Sequence, residues 1–298
     1  MSSAELILRA REERILKVIR RALSGDVVTV KANVPGRDKN IAESFLIVRH
    51  FTGVLIERYG GTAEIFNGDD GMYALVGGLK SIDKDALVKI ELSNPAGRFA
   101  DLDLYLKGTS SSVSRGYMRK CFICDKPAFV CAREGSHGVD ALLGVFKSEI
   151  RSYFTTQTEK IIKESLMAEL NLENKFGLVS PSSQGSHKDL DYSLMIRAQD
   201  AVLPHLVKMF WQGFDGECDS LEQLRPTGIT AEKAMLAATG GANAYKGMIF
   251  VIGVILSSLG KLLSSGNGRY GDLFDNVRKI CKGVTNELRD GRANGTYG

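Results

Sequence analysis

Two aspartates in the segment "GRFADLDLY" have the residue type and the spacing to hold a divalent cation. Asp101 and Asp103 are two positions apart in a pattern that predicts a strand, so their side chains should project from one face. Paired carboxylates supply the hard oxygen ligands that Mg²⁺ combines with a bound polyphosphate. The same spacing is typical of an amphipathic strand that turns its aspartates to solvent and Phe99, Leu102 and Leu104 inward. The spacing alone leaves both interpretations open.

The segment "CFICDKPAFVCAREGSH" contains three cysteines and a histidine, namely Cys121, Cys124, Cys131 and His137. These ligand types and the opening C-x2-C suit a structural Zn²⁺ site. The later spacings match no common zinc-finger pattern, and cysteine is frequent in protein cores. Buried thiols are therefore the favoured interpretation over structural zinc. Four basic residues make this segment cationic and suited to phosphate contact: Arg119, Lys120, Arg133 and His137.

A polar loop in the second half, "GLVSPSSQGSHKDLDYSLM", precedes an apolar helical pattern. It carries His187, Asp189 and Asp191. Free amides and hydroxyls at a helix start attract phosphate, and nearby carboxylates bring the accompanying Mg²⁺. Serine and aspartate are equally typical of a helix N-cap. The residue types favour neither interpretation.

The segment "TGGANAYKGMIF", residues 239–250, combines two glycines with Lys246 just before an apolar run. It lacks the G-x-x-x-x-G-K-[ST] order of a Walker loop, so it does not predict a P-loop kinase. Arg225 and Glu232 lie upstream in a predicted helix that Gly240 and Gly241 terminate. We therefore expect a helix, a glycine loop and a buried helix in succession.

The hydrophobic pattern predicts the elements that position these residues. In the first 150 residues an opening helix, the strand "DVVTVKA" and a Pro-Gly turn carrying Arg37 and Lys39 are followed by further alternation of helices and strands. From about Val139 onward the pattern becomes helical, with Gly/Ser/Pro loops between the helices. We predict an α+β domain over residues 1–150 and an all-α domain over residues 151–298.

Composition narrows the class of protein. The chain has 298 residues, 44% of them hydrophobic and 25% charged, and its net charge is +4 without long single-sign blocks. Nucleic acid is therefore not an expected partner, whereas small anionic ligands fit. The apolar run from Met248 to Gly260 is short for a transmembrane helix, and the N-terminus lacks a secretory pattern. We expect a cytoplasmic protein with no membrane partner and no disulfide framework.

Several separated blocks of the chain resemble two known families. The order "GLVSP…GSHKDLDY…LRPTGITAEKAML…ATGGANAYKGMIF" closely resembles the triphosphoribosyl-dephospho-CoA synthase family, which builds the prosthetic-group precursor of citrate lyase. The blocks "NVPGRDKN", "GRFADLDLY" and "RKCFICDKPAFVCAREGSH" look like holo-citrate-lyase synthase, the transferase that attaches this precursor to an acyl carrier protein. The two enzymes also occur fused. Together the resemblances cover nearly the whole chain.

The resemblance implies two consecutive reactions. The C-terminal domain would join the ribose of ATP to the 2′-hydroxyl of 3′-dephospho-CoA and expel adenine. The N-terminal domain, with a nucleotidyltransferase-like mixed sheet and helices, would transfer the product to a serine of the citrate lyase acyl carrier protein (the gamma subunit) and release pyrophosphate. Both steps would use Mg²⁺.

The resemblance also implies roles for individual residues. Two sets of metal ligands are expected, Asp101 with Asp103 in the first half and Asp189 in the second. His187 or Glu232 would be the base for the attacking hydroxyl. The remaining matched positions would bind phosphate or substrate: Lys39, Arg98, Arg133, His137, Gly185, Ser186, Arg225, Gly240, Gly241, Asn243 and Lys246.

The chain departs from the synthase family in three places. Lys175-Phe176-Gly177 stands where the family commonly has Lys-Pro-Gly, and Asn243-Ala244-Tyr245-Lys246 where it has Asn-Thr-His-Lys. The chain ends at "RANGTYG", which resembles an internal family segment, so we expect an incomplete synthase domain. The alternative is that only one half is active and the other is a non-catalytic module that binds carrier protein or nucleotide.

Overall fold

The computed structural model describes residues 3–284. The chain divides into two compact units, Met1–Tyr153 (unit 1) and Phe154–Gly298 (unit 2). The boundary lies within one long helix, α5 (Val139–Leu170). Among the described residues, unit 1 contains all the strands and unit 2 is helical, which confirms the predicted α+β and all-α classes.

Unit 1 is built on a four-stranded sheet with the order β2-β3-β1-β4. Its strands are β1 (Val27–Ala32), β2 (Thr62–Gly68), β3 (Gly71–Gly77) and β4 (Ala100–Tyr105). All three pairings between neighbouring strands are antiparallel, so the sheet is antiparallel where a mixed sheet was expected. A tight turn joins the consecutive strands β2 and β3 and explains their antiparallel pairing, because it forces the chain to reverse.

Four helices precede α5, and the first three of them contact the sheet. They are α1 (Ser3–Ala22), α2 (Ala42–Tyr59), α3 (Lys84–Ser93) and α4 (Ala128–Glu134), and a short 3₁₀ turn, Gly97–Phe99, leads into β4. The core of the unit lies between α2 and the sheet, where Phe51, Leu55 and Val76 are fully buried. Burying such apolar side chains is the main stabilisation of the unit.

The register of β1 and β4 places charged residues side by side. Lys31 pairs with Asp101, and Thr29 pairs with Asp103. On β4 the side chains alternate, because Leu102 is buried in the core while the two aspartates remain partly exposed. The period of two along the strand therefore turns both carboxylates to the same side of the sheet.

Unit 2 continues from α5 into α6 (Tyr192–Phe214), α7 (Leu221–Thr239), α8 (Lys246–Ser264) and α9 (Asp272–Ile280). The helix starts follow ordinary capping chemistry. The Asp191 side chain accepts a hydrogen bond from the backbone N–H of Leu194 at the start of α6, and Ser220 with Gln223 forms a capping box at the start of α7.

Helices α6 and α8 pack closely through glycines. A methyl group at Gly260 would overlap the carbonyl oxygen of Phe210, and one at Gly213 would overlap that of Ser257. Helix α8 extends beyond the predicted apolar run to 19 residues, and by length and composition alone it is apolar enough to cross a membrane. Its close contact with α6 is the packing expected of a core helix.

Candidate functional site

A cavity of about 920 Å³ opens in unit 1 beside β1 and β4. Seven lysines and arginines line it against three aspartates, so its walls carry an excess of positive charge. It brings together five of the predicted site residues: Lys39, Arg98, Asp101, Asp103 and His137. A cationic concavity of this size fits a polyphosphate ligand. Arg133, by contrast, lies exposed on α4 and is not one of the residues that line the cavity.

Two cations of the cavity share one buried carboxylate. Asp70 Oδ2 lies 2.7 Å from Lys31 Nζ and 2.8 Å from Arg14 Nε. Burial by itself would raise the pKa of Asp70, but the hydrogen bonds from Lys31 and Arg14 outweigh it and lower that pKa. Burial and the neighbouring Arg14 charge lower the pKa of Lys31. One carboxylate cannot neutralise two cations, so this corner of the cavity attracts an anion.

The two strand aspartates are held by basic side chains. Asp101 Oδ1 is 2.7 Å from an Arg119 nitrogen and 3.4 Å from one of Arg115, and Asp103 Oδ1 is 3.1 Å from Lys84 Nζ. These contacts use one oxygen of each carboxylate. Both side chains are about one-third exposed and line the cavity. Two hard oxygen donors on one face of a strand fit Mg²⁺ bound together with a phosphate ligand.

A buried glutamate fixes the arginines that face Asp101. Glu91 is 5% exposed, lies 2.9 Å from Arg115 and 3.1 Å from Arg119, and accepts a hydrogen bond from the backbone N–H of Leu102. The guanidinium groups are thus positioned from both sides, by Glu91 and by Asp101. Such bidentate pairing orients a cation without removing its charge from the site.

The other predicted cations of unit 1 are also anchored. Arg98 donates hydrogen bonds to the backbone carbonyls of Cys121 and Phe122, at 3.1 and 2.9 Å, and its guanidinium lies over the Phe122 ring. Lys39 donates to the carbonyl of Val34, and burial lowers its pKa. Both side chains are therefore preorganised at the wall of the cavity.

The three cysteines and the histidine converge at one edge of this cavity. The ligand atoms of Cys121, Cys124, Cys131 and His137 all lie within 4.8 Å of one another and form a group that could hold a metal ion. The Sγ atoms of Cys124 and Cys131 are 3.4 Å apart, and His137 Nε2 is 3.3 Å from Cys124 Sγ. The thiols are free of disulfides.

Unit 2 has a smaller cavity of about 330 Å³ between α7 and α8. It brings together three predicted residues, Arg225, Glu232 and Lys246, and the Lys246 ammonium lies 2.8 Å from the Glu232 carboxylate. Apolar side chains form much of the remaining wall, among them Met209, Leu224, Ile249 and Phe250. Apolar walls with a few convergent charges are typical of a small-ligand site.

Four other predicted residues of unit 2 lie in the loop before α6, and none of them lines this cavity. Gly185 has φ +63°, and a methyl group there would come 2.5 Å from the Gly177 carbonyl oxygen, so the position requires glycine. Ser186 donates to that same carbonyl from both its backbone N–H and its hydroxyl. His187 is half-buried, and Asp189 is exposed.

The glycine loop between α7 and α8 acts as a helix terminus. Gly240 adopts the left-handed conformation, φ 69° and ψ 27°, and the backbone N–H groups of Gly240 and Gly241 both donate to the Leu236 carbonyl. The Asn243 side chain accepts a hydrogen bond from the backbone N–H of Lys246. These contacts place Lys246 at the start of α8, with its side chain at the cavity.

Tyr245 points into the core of unit 2. It is 7% exposed, its hydroxyl accepts a 2.8 Å hydrogen bond from the Gln199 amide, and burial raises its pKa to about 12. The residue that replaces the family histidine is therefore a packed, hydrogen-bonded core residue. It does not line the cavity of Lys246.

The fold and the first cavity define the class of the protein. An α+β unit in which a strand carries two carboxylates into a cationic cavity is suited to the transfer of phosphate-bearing groups. Residues 2–153 match the family described as apo-citrate lyase phosphoribosyl-dephospho-CoA transferase, and the chain belongs to this family. Residues 155–294 match the family described as ATP:dephospho-CoA triphosphoribosyl transferase. The two resemblances predicted from the sequence are thereby confirmed.

Some relatives match most of this chain, and others match a smaller part of it. The protein CitXG of Leuconostoc mesenteroides subsp. cremoris is 29% identical over 288 residues, which are 88% of this chain and 61% of the relative. The protein CitXG of Haemophilus influenzae is 28% identical over 70% of this chain and 48% of its own. A 2-(5''-triphosphoribosyl)-3'-dephosphocoenzyme-A synthase of Klebsiella pneumoniae is 34% identical over 41% of this chain and 42% of its own. The chain thus spans about half to three-fifths of the CitXG relatives.

Sequence reasoning missed several residues of the first cavity. Lys31 is the one charged residue within β1, which was a usable signal, because a charge in an apolar strand needs a partner. Asp70 and Arg14 gave no such signal, since they lie 56 positions apart and meet only when the sheet forms. The same holds for Glu91, which lies on α3 and contacts Arg115 and Arg119 of a non-helical segment 24 and 28 positions further along the chain.

Proposed function

We propose that unit 1 transfers a phosphoribosyl-dephospho-CoA group to a serine of an apo acyl carrier protein. The observation that carries this proposal is the cavity of about 920 Å³, whose cationic walls surround the Asp101 and Asp103 carboxylates. Family membership supports the same reaction. The substrate is a triphosphate, so the charge of the walls matches the charge of the ligand.

In the proposed reaction the serine hydroxyl oxygen forms a bond to the α-phosphorus of the triphosphate. The bond from that phosphorus to the bridging oxygen breaks, pyrophosphate leaves with the bonding electrons, and the serine proton passes to water. Lys31, Lys39 and Arg98 bind the phosphate oxygens and stabilise the charge that accumulates on the leaving group. Asp101 and Asp103 would hold Mg²⁺, which when bound neutralises charge on the polyphosphate.

The test is transfer of presynthesised precursor to apo carrier protein by Asp101→Asn. We expect transfer to fall by about 100-fold or more, and the Mg²⁺ concentration for half-maximal activity to rise, because the amide is a poorer cation ligand. Asp85→Asn is the matched control, since Asp85 is exposed on α3 outside this cavity. Unchanged transfer and unchanged Mg²⁺ dependence in Asp101→Asn would contradict the assignment.

We propose that unit 2 supplies the precursor. The 2′-hydroxyl oxygen of 3′-dephospho-CoA forms a bond to C1 of the ATP ribose, and the bond from C1 to adenine breaks, so that adenine leaves with the bonding electrons and a proton. The cavity with Arg225, Glu232 and Lys246 supports this step, the two cations as phosphate ligands and Glu232 as the base. Glu232 is favoured over His187, because His187 does not line the cavity. Asp189, in the loop before α6, is the proposed Mg²⁺ ligand of unit 2.

The proposed partners follow from these two reactions. They are ATP, 3′-dephospho-CoA and the acyl carrier protein of citrate lyase, and we infer a cytoplasmic reaction because both nucleotides are cytoplasmic. The proposed division assigns transfer to the first domain and synthesis to the second. The alternative is that one half alone is active while the other binds carrier protein or nucleotide, and separate assays of adenine release and of transfer distinguish the two.

A further inference from the structure

We propose that Cys121, Cys124, Cys131 and His137 bind a structural Zn²⁺ ion that holds the segment 106–137 against the phosphate cavity. Such an ion would stabilise one wall of the cavity and would take no part in the proposed transfer reaction itself. This assignment replaces the preference for buried thiols that the spacing alone favoured.

The geometry of the four side chains fits a tetrahedral ion. Bond lengths of about 2.3 Å to sulfur and about 2.0 Å to nitrogen place neighbouring ligand atoms about 3.6–3.8 Å apart. The structure has 3.4 Å between the sulfurs of Cys124 and Cys131 and 3.3 Å between Cys124 Sγ and His137 Nε2. All four ligand atoms lie within 4.8 Å of one another, so side-chain shifts of about 1 Å or less complete the site.

The backbone around the first two cysteines is that of a metal-binding turn. The N–H of Ile123 points at Cys121 Sγ, 3.5 Å away, and the N–H of Cys121 donates to the Lys126 carbonyl. Lys120 and Pro127 then pair as an antiparallel bridge. This tight reversal brings Cys121 and Cys124 together and orients an N–H group towards a sulfur, which stabilises a thiolate.

The segment lacks an apolar core of its own. From Leu106 to His137 the two buried residues are Cys121 and Cys131, and the large apolar side chains of Met118, Ile123 and Phe129 are exposed. Phe122 packs edge-on against the buried Phe99, but no side chain of these 32 residues other than the two cysteines is buried. Small domains with so little hydrophobic burial are commonly ordered by a metal. Three thiols and an imidazole form the soft sulfur and nitrogen donor set that Zn²⁺ prefers.

The ordered segment supplies part of the cavity wall. It carries Arg115 and Arg119, which contact Asp101, and its carbonyls at Cys121 and Phe122 accept hydrogen bonds from Arg98. Zn²⁺ would therefore help to position Arg98 and Arg119 in the cavity wall, and Arg115 against Asp101, without contacting substrate. His137 would be a metal ligand, which excludes it from binding phosphate through the same nitrogen.

The test begins with the zinc content of the purified 298-residue chain, measured by elemental mass spectrometry. We expect about one Zn²⁺ per chain. The double variant Cys121→Ser/Cys124→Ser and the single variant His137→Ala should lose most of the metal. Cys281→Ser is the matched control, because Cys281 lies outside the cluster, and it should keep the full content.

Two further measurements use the unaltered chain, so that a misfolded variant cannot decide the outcome. Replacement of Zn²⁺ by Co²⁺ should give the visible absorption of a tetrahedral site with thiolate ligands. Chelation should allow trypsin to cleave the chain after Lys120 and Arg133, and added Zn²⁺ should restore protection. A chain that takes up neither ion, or a double variant that retains one Zn²⁺, would overturn the proposal. None of these readouts requires transfer activity, so their failure is distinct from failure of the proposed function.

Discussion

At the scale of single residues, Asp70 has the clearest electrostatic role in the first cavity. It is 5% exposed and balances both Lys31 and Arg14. Replacing it removes the carboxylate and leaves two partly buried cations uncompensated. A change of this kind in a buried ion pair costs about 3 kcal/mol.

We predict that Asp70→Asn lowers the free energy of unfolding by about 3 kcal/mol at neutral pH. The pKa of Asp70 is lowered in the folded state, so its stabilising contribution is present above the ordinary value of 3.8 and is lost as the pH falls through the lower folded value. The difference between wild type and variant should therefore shrink in denaturant titrations below about pH 4. A difference that stays constant down to about pH 2 would contradict this assignment.

The adjacent Asp69 provides the control for that experiment. It is exposed and does not line the first cavity, so Asp69→Asn should change the free energy of unfolding by less than about 0.5 kcal/mol at any pH. The comparison separates the buried ion pairs from a general effect of removing one negative charge near the β2–β3 turn.

At the scale of elements, the contact between α6 and α8 depends on small residues. Gly260 faces the backbone of Phe210 and Phe214, with no room for a methyl group. Because the two backbones approach closely, the apolar surface of α8 packs densely against α6. An added side chain must separate the helices.

We predict that Gly260→Ala lowers the free energy of unfolding of unit 2 by about 3 kcal/mol, because the methyl group overpacks a rigid backbone contact. Gly247→Ala in the same helix is the control. A methyl group there would meet no atom within 4 Å beyond its chain neighbours and its own helix backbone, so the change should be neutral or stabilising by up to about 1 kcal/mol through helix propensity. Thermal or denaturant unfolding followed by circular dichroism measures both, and equal effects of the two substitutions would argue against glycine-mediated packing.

At the scale of the whole molecule, the chain carries two family segments, one in each compact unit. Each unit contains its own cavity with its own set of charged residues. The proposed activities should therefore respond to different substitutions. Product formed by one unit is the substrate proposed for the other, so separate assays of each step are needed.

We predict that a substitution in either cavity reduces one of the two activities and leaves the other unchanged. Lys246→Met should reduce adenine release from ATP and 3′-dephospho-CoA by about 100-fold while leaving transfer of presynthesised precursor unchanged, because it removes a phosphate ligand of unit 2 alone. Asp101→Asn should do the reverse. Lys233→Met, an exposed change on α7, is the control for the first variant. Absence of adenine release from the unaltered chain would remove the synthase proposal and leave the transferase proposal standing.

The local pattern of apolar and polar residues determined much of the secondary structure of this protein. The fold class, most helices and strands, and the shared face of Asp101 and Asp103 follow from periods of 3.6 and two, which backbone sterics impose on any sequence. Short motifs also indicated both families. The helix termini at Gly240 and Asp191 are equally local, since capping involves residues three or four positions apart.

Only the tertiary structure decided which charges meet. Asp70 contacts Lys31 and Arg14, which lie 39 and 56 positions earlier in the chain. Glu91 on α3 contacts Arg115 and Arg119 of a non-helical segment 24 and 28 positions later. Strand register and the packing of α3 set those distances. The same holds for the convergence of the three cysteines with His137 and for the burial of Tyr245. The sequence by itself determined the elements and the residue types available for chemistry. The pairing and packing of distant segments decided which of these residues share a cavity, because no local sequence pattern encodes that packing.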